Sequence, residues 1–216
     1  MTDFSGVRDS YDRVAARYAE QFAGELAGRP LDRALLAAFA EQVPPGLPVA
    51  DLGCGPGHVT AHLAGLGLPA LGIDISPGMV AQAAGRYPGL PFRTGTMLAL
   101  DAPDGGWAGI VALYSLIHLV AAERAAALRE FARVLCPGGL LLAGFHIDGE
   151  QAAAGETVHL DRLLDEPVAL DFHFLDPDEV AAACAAAGLE VRARAERAPY
   201  PQDVPTRRGY LLARRP

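Results

Sequence analysis

The residues best suited to chemistry in this chain are two acids either side of a glycine-rich turn. Val49 to Leu52 is a short apolar run carrying Asp51, and it enters Gly53, Cys54, Gly55, Pro56 and Gly57. Glycine and proline weaken strand and helix interiors alike, so this stretch suits a tight turn where backbone passes close to a ligand. Val59, Leu63 and Leu66 then repeat at helical spacing, which starts a helix at about Gly57. Strand, glycine turn and helix in that order form the first unit of a nucleotide-binding α/β fold, with free backbone N–H groups facing the ligand. A second apolar run, Pro69 to Asp74, ends in an acid roughly 20 residues further on, the offset at which such folds grip a ribose. Asp74 has the oxygens to accept bonds from both ribose hydroxyls; the alternative is a surface acid that happens to close a strand.

The turn itself excludes two common cofactor loops. A dinucleotide fingerprint needs glycine where His58 stands, and a phosphate-cradling loop needs Lys then Ser or Thr where His58 and Val59 stand.

The spacing Asp51, Gly53, Gly55, Gly57 instead resembles the first motif of the class I methyltransferases that use S-adenosylmethionine. The resemblance implies a Rossmann-like α/β fold, with a seven-stranded, mostly parallel sheet flanked by helices and an antiparallel last strand. It implies that Gly53, Cys54, Gly55 and Gly57 admit the methionine part of the cofactor, that Asp51 lies near its ammonium or a bridging water, and that Ile75 and Met79 border the adenine. Cys54 reads equally as a small filler, and Met79 as ordinary core. Gly95, Thr96 and Met97 follow a third strand, Leu90 to Thr94; the family usually has an acid at Thr96, so here the adenine amino group is left to the threonine hydroxyl or the Met97 backbone. Ala108 replaces a second family acid, one that is usually structural.

The fourth strand, Gly109 to Tyr114, is a continuous apolar run of the type buried on both faces of a parallel sheet. Ligands in such sheets bind beyond the carboxyl ends of strands, so Tyr114, Ser115 and His118 mark the expected place of methyl transfer. A base with a pKa near neutral would serve an acceptor that must lose a proton, which makes histidine the natural candidate. Of the six histidines, His118 and His146 end neighbouring strands in the family's sheet order and are expected to converge on the methyl group as catalytic and substrate residues. His173 is expected on the polar side of a lid. Each of the three also reads as a hydrogen-bonded structural histidine. His58 and His62 are expected at the surface.

The remaining elements must position these groups. Val7, Tyr11, Val14, Tyr18 and Phe22 share one face of a helix from about Val7 to Leu26. Periodicity alone reads the tyrosines as core, whereas the segment Tyr11 to Tyr18 resembles the entrance helix of small-molecule methyltransferases and implies cofactor contacts for Tyr11 and Tyr18, with Tyr18 also near substrate. A second helix, Leu31 to Val43, is expected to bury Leu35, Ala38, Phe39 and Gln42. Ser76 and Pro77 start another with a cap and a first-position proline. Ala122 to Leu135 forms the next, and Pro137, Gly138 and Gly139 stop it before a fifth strand that runs to about Ile147. Two alternating stretches, Val158 to Asp161 and Val168 to Phe174, read as half-buried strands, and an insertion at this point resembles a substrate lid. Asp176, Pro177 and Glu179 open a last helix in the pattern of a capping box, which Gly188 ends. Leu189 to Ala195 and Gly209 to Ala213 supply closing strands.

A single domain over residues 1–216 is expected, with a helical cap at 1–45, a cofactor core at 46–147, a lid at 148–175 and a closing unit at 176–216. The net charge of -8 and the lack of a basic stripe argue against nucleic acid as partner. Three isolated cysteines, no long apolar run and a start, Met1 to Phe4, unlike a targeting signal point to a cytoplasmic protein that engages no membrane. The oligomeric state stays open, a homodimer included, and no metal is expected. The sequence therefore reads as a methyltransferase using S-adenosylmethionine, with S-adenosylhomocysteine as product, on the O, N or C of a small apolar or uncharged acceptor, and by analogy as a step in secondary metabolism. Two other classes share these motifs: an enzyme using the sulfonium only as a charge, for cyclisation, elimination or decarboxylation, and a nonenzymatic cofactor-binding protein.

Overall fold

The structure, a computed structural model, describes residues 5–216, so the start at Met1 to Phe4 lies outside the described residues. In chain order the elements are α1 (Ser5–Phe22), α2 (Pro30–Gln42), β1 (Val49–Leu52), α3 (His58–Gly65), β2 (Ala70–Asp74), α4 (Pro77–Arg86), β3 (Phe92–Thr94), β4 (Trp107–Leu113), α5 (Ala121–Val134), β5 (Leu135–Gly149), β6 (Thr157–Leu163), β7 (Glu166–His173), α6 (Pro177–Ala186), β8 (Glu190–Arg197) and β9 (Thr206–Arg214). Single 3-10 turns occupy Glu25–Gly28 and Leu116–His118.

Seven strands form one sheet in the order β3-β2-β1-β4-β5-β9-β8, and β9 alone runs antiparallel to its neighbours. From β1 the chain builds outward through β2 to β3, then returns to the other side of β1 with β4. That reversal opens a crevice at the carboxyl ends of β1 and β4, where neighbouring crossovers leave in opposite directions. β1 and β2 are buried along their whole length. Alternate residues divide between two cores: Ala50, Leu52, Ile110 and Ala112 pack with Leu128 and Phe131 on one face, while Val49 and Val111 pack with Leu36, Phe39 and Leu63 on the other.

Local chemistry accounts for most helix ends. Ser76 accepts from the Met79 amide at 3.0 Å, and Asp176 accepts from the Asp178 amide at 2.7 Å, so both predicted caps form. Gly188, at φ 84, closes α6. Asp12 of α1 fastens the start of α4, accepting from the Gly78 amide at 2.7 Å and from the Ser76 hydroxyl at 2.5 Å.

Some boundaries differ from the sequence reading. α1 stops at Phe22, and Leu26 sits in the separate 3-10 turn before Pro30. The buried residues of α2 are Asp32, Leu36 and Phe39, whereas Ala38 and Gln42 are exposed, because the helix is rotated to bring Asp32 under Tyr114 and Tyr210. α5 ends at Val134, and Pro137 to Gly139 lie within the start of β5, with Gly138 at φ 82.

β6 and β7 form a separate antiparallel hairpin. Its apolar side, Leu160, Val168 and Leu170, rests on Val14 of α1. The Ala169 amide donates to Ser10 Oγ at 2.9 Å, and Arg13 donates to the Pro167 carbonyl at 2.6 Å. No helix among the described residues is long and apolar enough to cross a membrane.

Candidate active site

The crevice at the β1 and β4 ends holds one continuous cavity, roofed by α1. Its floor is the glycine turn. Gly53, Gly55 and Gly57 all have positive φ, at 74, 51 and 84, a conformation that other residues adopt with strain. A side chain at Gly53 would also meet Ser115 Cβ at 2.3 Å. The Gly53 and Cys54 amides donate to the Ile73 carbonyl at 2.8 and 3.1 Å, which ties the turn to the end of β2.

Asp74 sits against that turn. Its Oδ2 accepts from the Gly55 amide at 2.8 Å and its Oδ1 from the Ser76 amide at 2.9 Å. Burial raises its pKa, and the two amide bonds pull in the opposite direction. Asp51, at the end of β1, accepts from the Thr60 hydroxyl at 2.7 Å and is pushed up to about 6, chiefly by burial. Burial likewise raises the Cys54 thiol, which makes it an inert wall residue rather than a reactive one.

Every expected cofactor residue except Gly57 lines the cavity: Tyr11, Tyr18, Asp51, Gly53, Cys54, Gly55, Asp74, Ile75, Met79, Gly95, Thr96, Met97, Tyr114 and Ser115. Gly57 stands outside, and a Cβ there would meet the Phe92 ring at 2.8 Å and Ala83 at 2.9 Å, so its role is close packing of the turn. The Thr96 hydroxyl accepts from the Leu98 amide at 3.3 Å in a local turn.

The histidines part company. His118 lines the cavity. Its Nδ1 lies 3.0 Å from the Asp171 carbonyl, which can only accept, so Nδ1 carries the proton. The lone pair of Nε2 then accepts from the Tyr11 hydroxyl at 2.8 Å. Burial depresses His118 to about 4, and it is neutral at pH 7. The same burial raises the Tyr11 phenol well above its ordinary value.

His146 does not join it, contrary to the expected convergence. It stands behind the Tyr114 ring, centroids 5.3 Å apart, and outside the cavity wall. Its Nδ1 faces Arg208 Nη1 at 2.6 Å and Thr206 Oγ1 at 2.7 Å, and burial beside Arg208 lowers it to about 3. His173 is likewise off the cavity, on the hairpin, with Nδ1 2.7 Å from Thr157 Oγ1. His58, expected at the surface, lines the cavity instead, with Nε2 3.4 Å from Glu25 Oε1.

The polar tips of Tyr114 and Ser115 turn away from the ligand space. Tyr114, at a left-handed φ of 58, lies 3.0 Å through its hydroxyl from Asp32 Oδ1 and 2.7 Å from the Tyr210 hydroxyl. Ser115 donates to the Leu52 carbonyl at 2.8 Å. Both hydroxyls therefore brace the wall, and the ring and backbone face the cavity.

Sequence reasoning missed Glu25, Arg29 and Asp32, which line the cavity from the far side. Glu25 and Arg29 pair locally, four residues apart, but Arg29 is fixed by Asp203 and Asp32 by Tyr114 and Tyr210, all distant in the chain, so no local motif announces the cluster. Together with Asp51 they put cationic and anionic groups at the glycine-turn end, complementary to an amino acid's carboxylate and ammonium. Ile75, Met79, Met97 and Leu119 add apolar lining to the same cavity, and Asp74 adds a carboxylate. That set of charged, acidic and apolar groups fits S-adenosylmethionine.

Comparison with known proteins agrees with this arrangement. Residues 49–139 match the family described as methyltransferase domain. A demethylmenaquinone methyltransferase of Beutenbergia cavernae is 34% identical over 63% of this chain and 56% of its own length. A trans-aconitate 2-methyltransferase of Methylobacterium nodulans is 40% identical over 43% of this chain and 36% of its own. The chain thus spans less than two thirds of either relative. Among solved structures, a SAM-dependent methyltransferase from Methanosarcina mazei superposes with a TM-score of 0.70 at 17% identity, over 82% of this chain and 96% of that one. Sheet order, turn, cavity and the match over residues 49–139 together support a class I S-adenosylmethionine-dependent methyltransferase, the family that the chain resembles.

Proposed function

We propose that the protein transfers a methyl group from S-adenosylmethionine to the O, N or C of a small, apolar or uncharged acceptor, releasing S-adenosylhomocysteine. The contact of the Gly55 amide with Asp74 carries this reading: the glycine turn and the acid lie against each other in one cavity, as a methionine-admitting turn and a ribose acid would have to. The bound cofactor supplies an already activated methyl group. The chain has to hold it, place the acceptor in line and keep water out.

In this reading Asp74 holds the ribose, Arg29 the methionine carboxylate, Glu25 and Asp51 its ammonium, and Ile75, Met79 and Met97 the adenine. Tyr11 and Tyr18 close the roof. His118, the one expected catalytic histidine on the cavity, is a weak base at about 4 and already accepts the hydrogen bond of the Tyr11 hydroxyl. It thus orients the acceptor through Tyr11 and takes up a proton only from a group that acidifies as it is methylated. His146 and His173 take no part.

Residues 148–175 act as the substrate lid of a single domain, with the hairpin resting on α1 and its Asp171 carbonyl on His118. The net charge of -8 disfavours nucleic acid as acceptor, and the three buried free cysteines suit a cytoplasmic setting. A role in secondary metabolism goes with the small, apolar or uncharged acceptor of this reading.

The test is incubation with methyl-labelled S-adenosylmethionine and a panel of phenolic, amine and carbon acceptors. Label in the acceptor supports the proposal. Acceptor changed without label points to sulfonium-assisted cyclisation, elimination or decarboxylation, and binding alone points to a nonenzymatic protein.

A further inference from the structure

Behind Arg29 lies a layer of buried charge that the reaction as proposed does not use. Asp203, in the segment joining β8 to β9, has a side chain with 0% exposure. Its Oδ1 accepts from Arg29 Nε at 3.0 Å, and its Oδ2 accepts from Arg197 Nη1 at 2.6 Å and from the Tyr200 amide at 3.1 Å. Burial works against ionisation here, yet the Arg197 bond, the Tyr200 amide and the charges of Arg29 and Arg208 outweigh it and hold the pKa below the ordinary carboxylate range. The segment is also pinned on both flanks of Arg29: Gln202 donates to the Gly28 carbonyl at 2.7 Å, and the Tyr200 hydroxyl accepts from the Leu31 amide at 3.2 Å. Glu25 takes Arg29 Nη1 at 2.8 Å, and the guanidinium lies 5.5 Å from the Tyr114 ring centroid, which leaves Nη2 with no hydrogen-bond partner among the described residues.

We propose that Asp203 is the positioning residue of Arg29, and that the segment between the last two strands forms the back wall of the methionine subsite. This rests on the reading above that Arg29 meets the cofactor's carboxylate. A guanidinium is planar with its donors in a fixed fork, so fixing Nε and Nη1 on two carboxylates fixes the direction of Nη2. A ligand carboxylate then meets a donor whose side-chain freedom is already spent.

The experiment compares S-adenosylhomocysteine with 5′-methylthioadenosine, a nucleoside thioether that lacks the amino-acid part, by calorimetry on the full chain. Asp203→Asn removes the charge and keeps the shape. It is expected to weaken S-adenosylhomocysteine about tenfold and leave 5′-methylthioadenosine unchanged. In an Arg29→Ala background it should add no further loss. Equal losses for both ligands, or none for either, overturn the proposal. If Asp203→Asn does not fold, Gln202→Ala, which frees only the Gly28 carbonyl, is expected to shift the two affinities apart in the same direction by about threefold, and no separation overturns the proposal there too. Wild-type protein that binds neither ligand overturns the cofactor reading itself, and wild-type protein that binds both equally removes Arg29 from the carboxylate.

Discussion

The Gly55 amide lies 2.8 Å from Asp74 Oδ2, so the turn after β1 and the acid that closes β2 are one unit before any ligand arrives. Asp74 is therefore a brace for the loop and, in the proposed function, a binding group as well. Asp74→Ala should cost on the order of 2 to 4 kcal/mol of cofactor affinity through lost ribose bonds, and should also lower the melting temperature, since the Gly55 and Ser76 amides lose their acceptor. Asp74→Asn keeps part of the brace and should lose affinity with a smaller fall in melting temperature. Calorimetry with unchanged affinity in both variants would contradict the assignment.

The three glycines of the turn separate by what surrounds them. A side chain at Gly57 meets the Phe92 ring and Ala83 below 3 Å at a φ of 84, whereas Gly55 has nothing within 4 Å. Gly57→Ala should destabilise the fold by about 2 kcal/mol or more. Gly55→Ala should cost about 1 kcal/mol of stability, yet it intrudes on the ligand space and should lower cofactor affinity. Denaturant titration paired with binding on each variant checks the contrast, and the reverse order of effects refutes it.

Acid should destabilise the protein. His118 and His146 sit at about 4 and 3 when folded against 6.5 when unfolded, so from pH 7 downward the unfolded chain takes up protons that the folded chain refuses. Asp51, raised to about 6 from 3.8, contributes with the opposite sign: its stabilisation is full below 3.8 and is lost as pH rises through 6. The two histidines outweigh it, and stability should fall by on the order of 2 kcal/mol between pH 7 and 5. His118→Gln, which keeps a donor and an acceptor, should make that slope shallower. Chemical denaturation across the range reads both, and a flat or opposite dependence would remove the neutral histidines.

The hairpin is held to α1 by a part-buried bond from the Ala169 amide to Ser10 Oγ at 2.9 Å. Ser10→Ala leaves that amide without its acceptor and should cost about 1 to 3 kcal/mol. Hydrogen exchange should speed up at Ala169 and its β7 neighbours, with β1 and β4 unaffected. Unchanged exchange along β7 would mean that the hairpin docks by its apolar side alone.

Local pattern carried much of this protein. The spacing from Asp51 to Gly57, the second acid at Asp74, the caps at Ser76 and Asp176 and the apolar run of β4 are all short-range features, and strand order follows from the family they resemble. Such signals are legible because turn geometry, capping and burial on two faces each constrain residue type within a few positions. What the tertiary structure alone decided is which groups meet across the chain. Tyr11 reaches His118 over 107 residues, and Arg29 reaches Asp203 over 174. His146, still within β5, is turned toward Arg208 rather than the cavity, whereas His118 lies in the turn past the end of β4. No local periodicity encodes those outcomes, because a buried side chain's direction and charge state are set by the partners that packing brings to it.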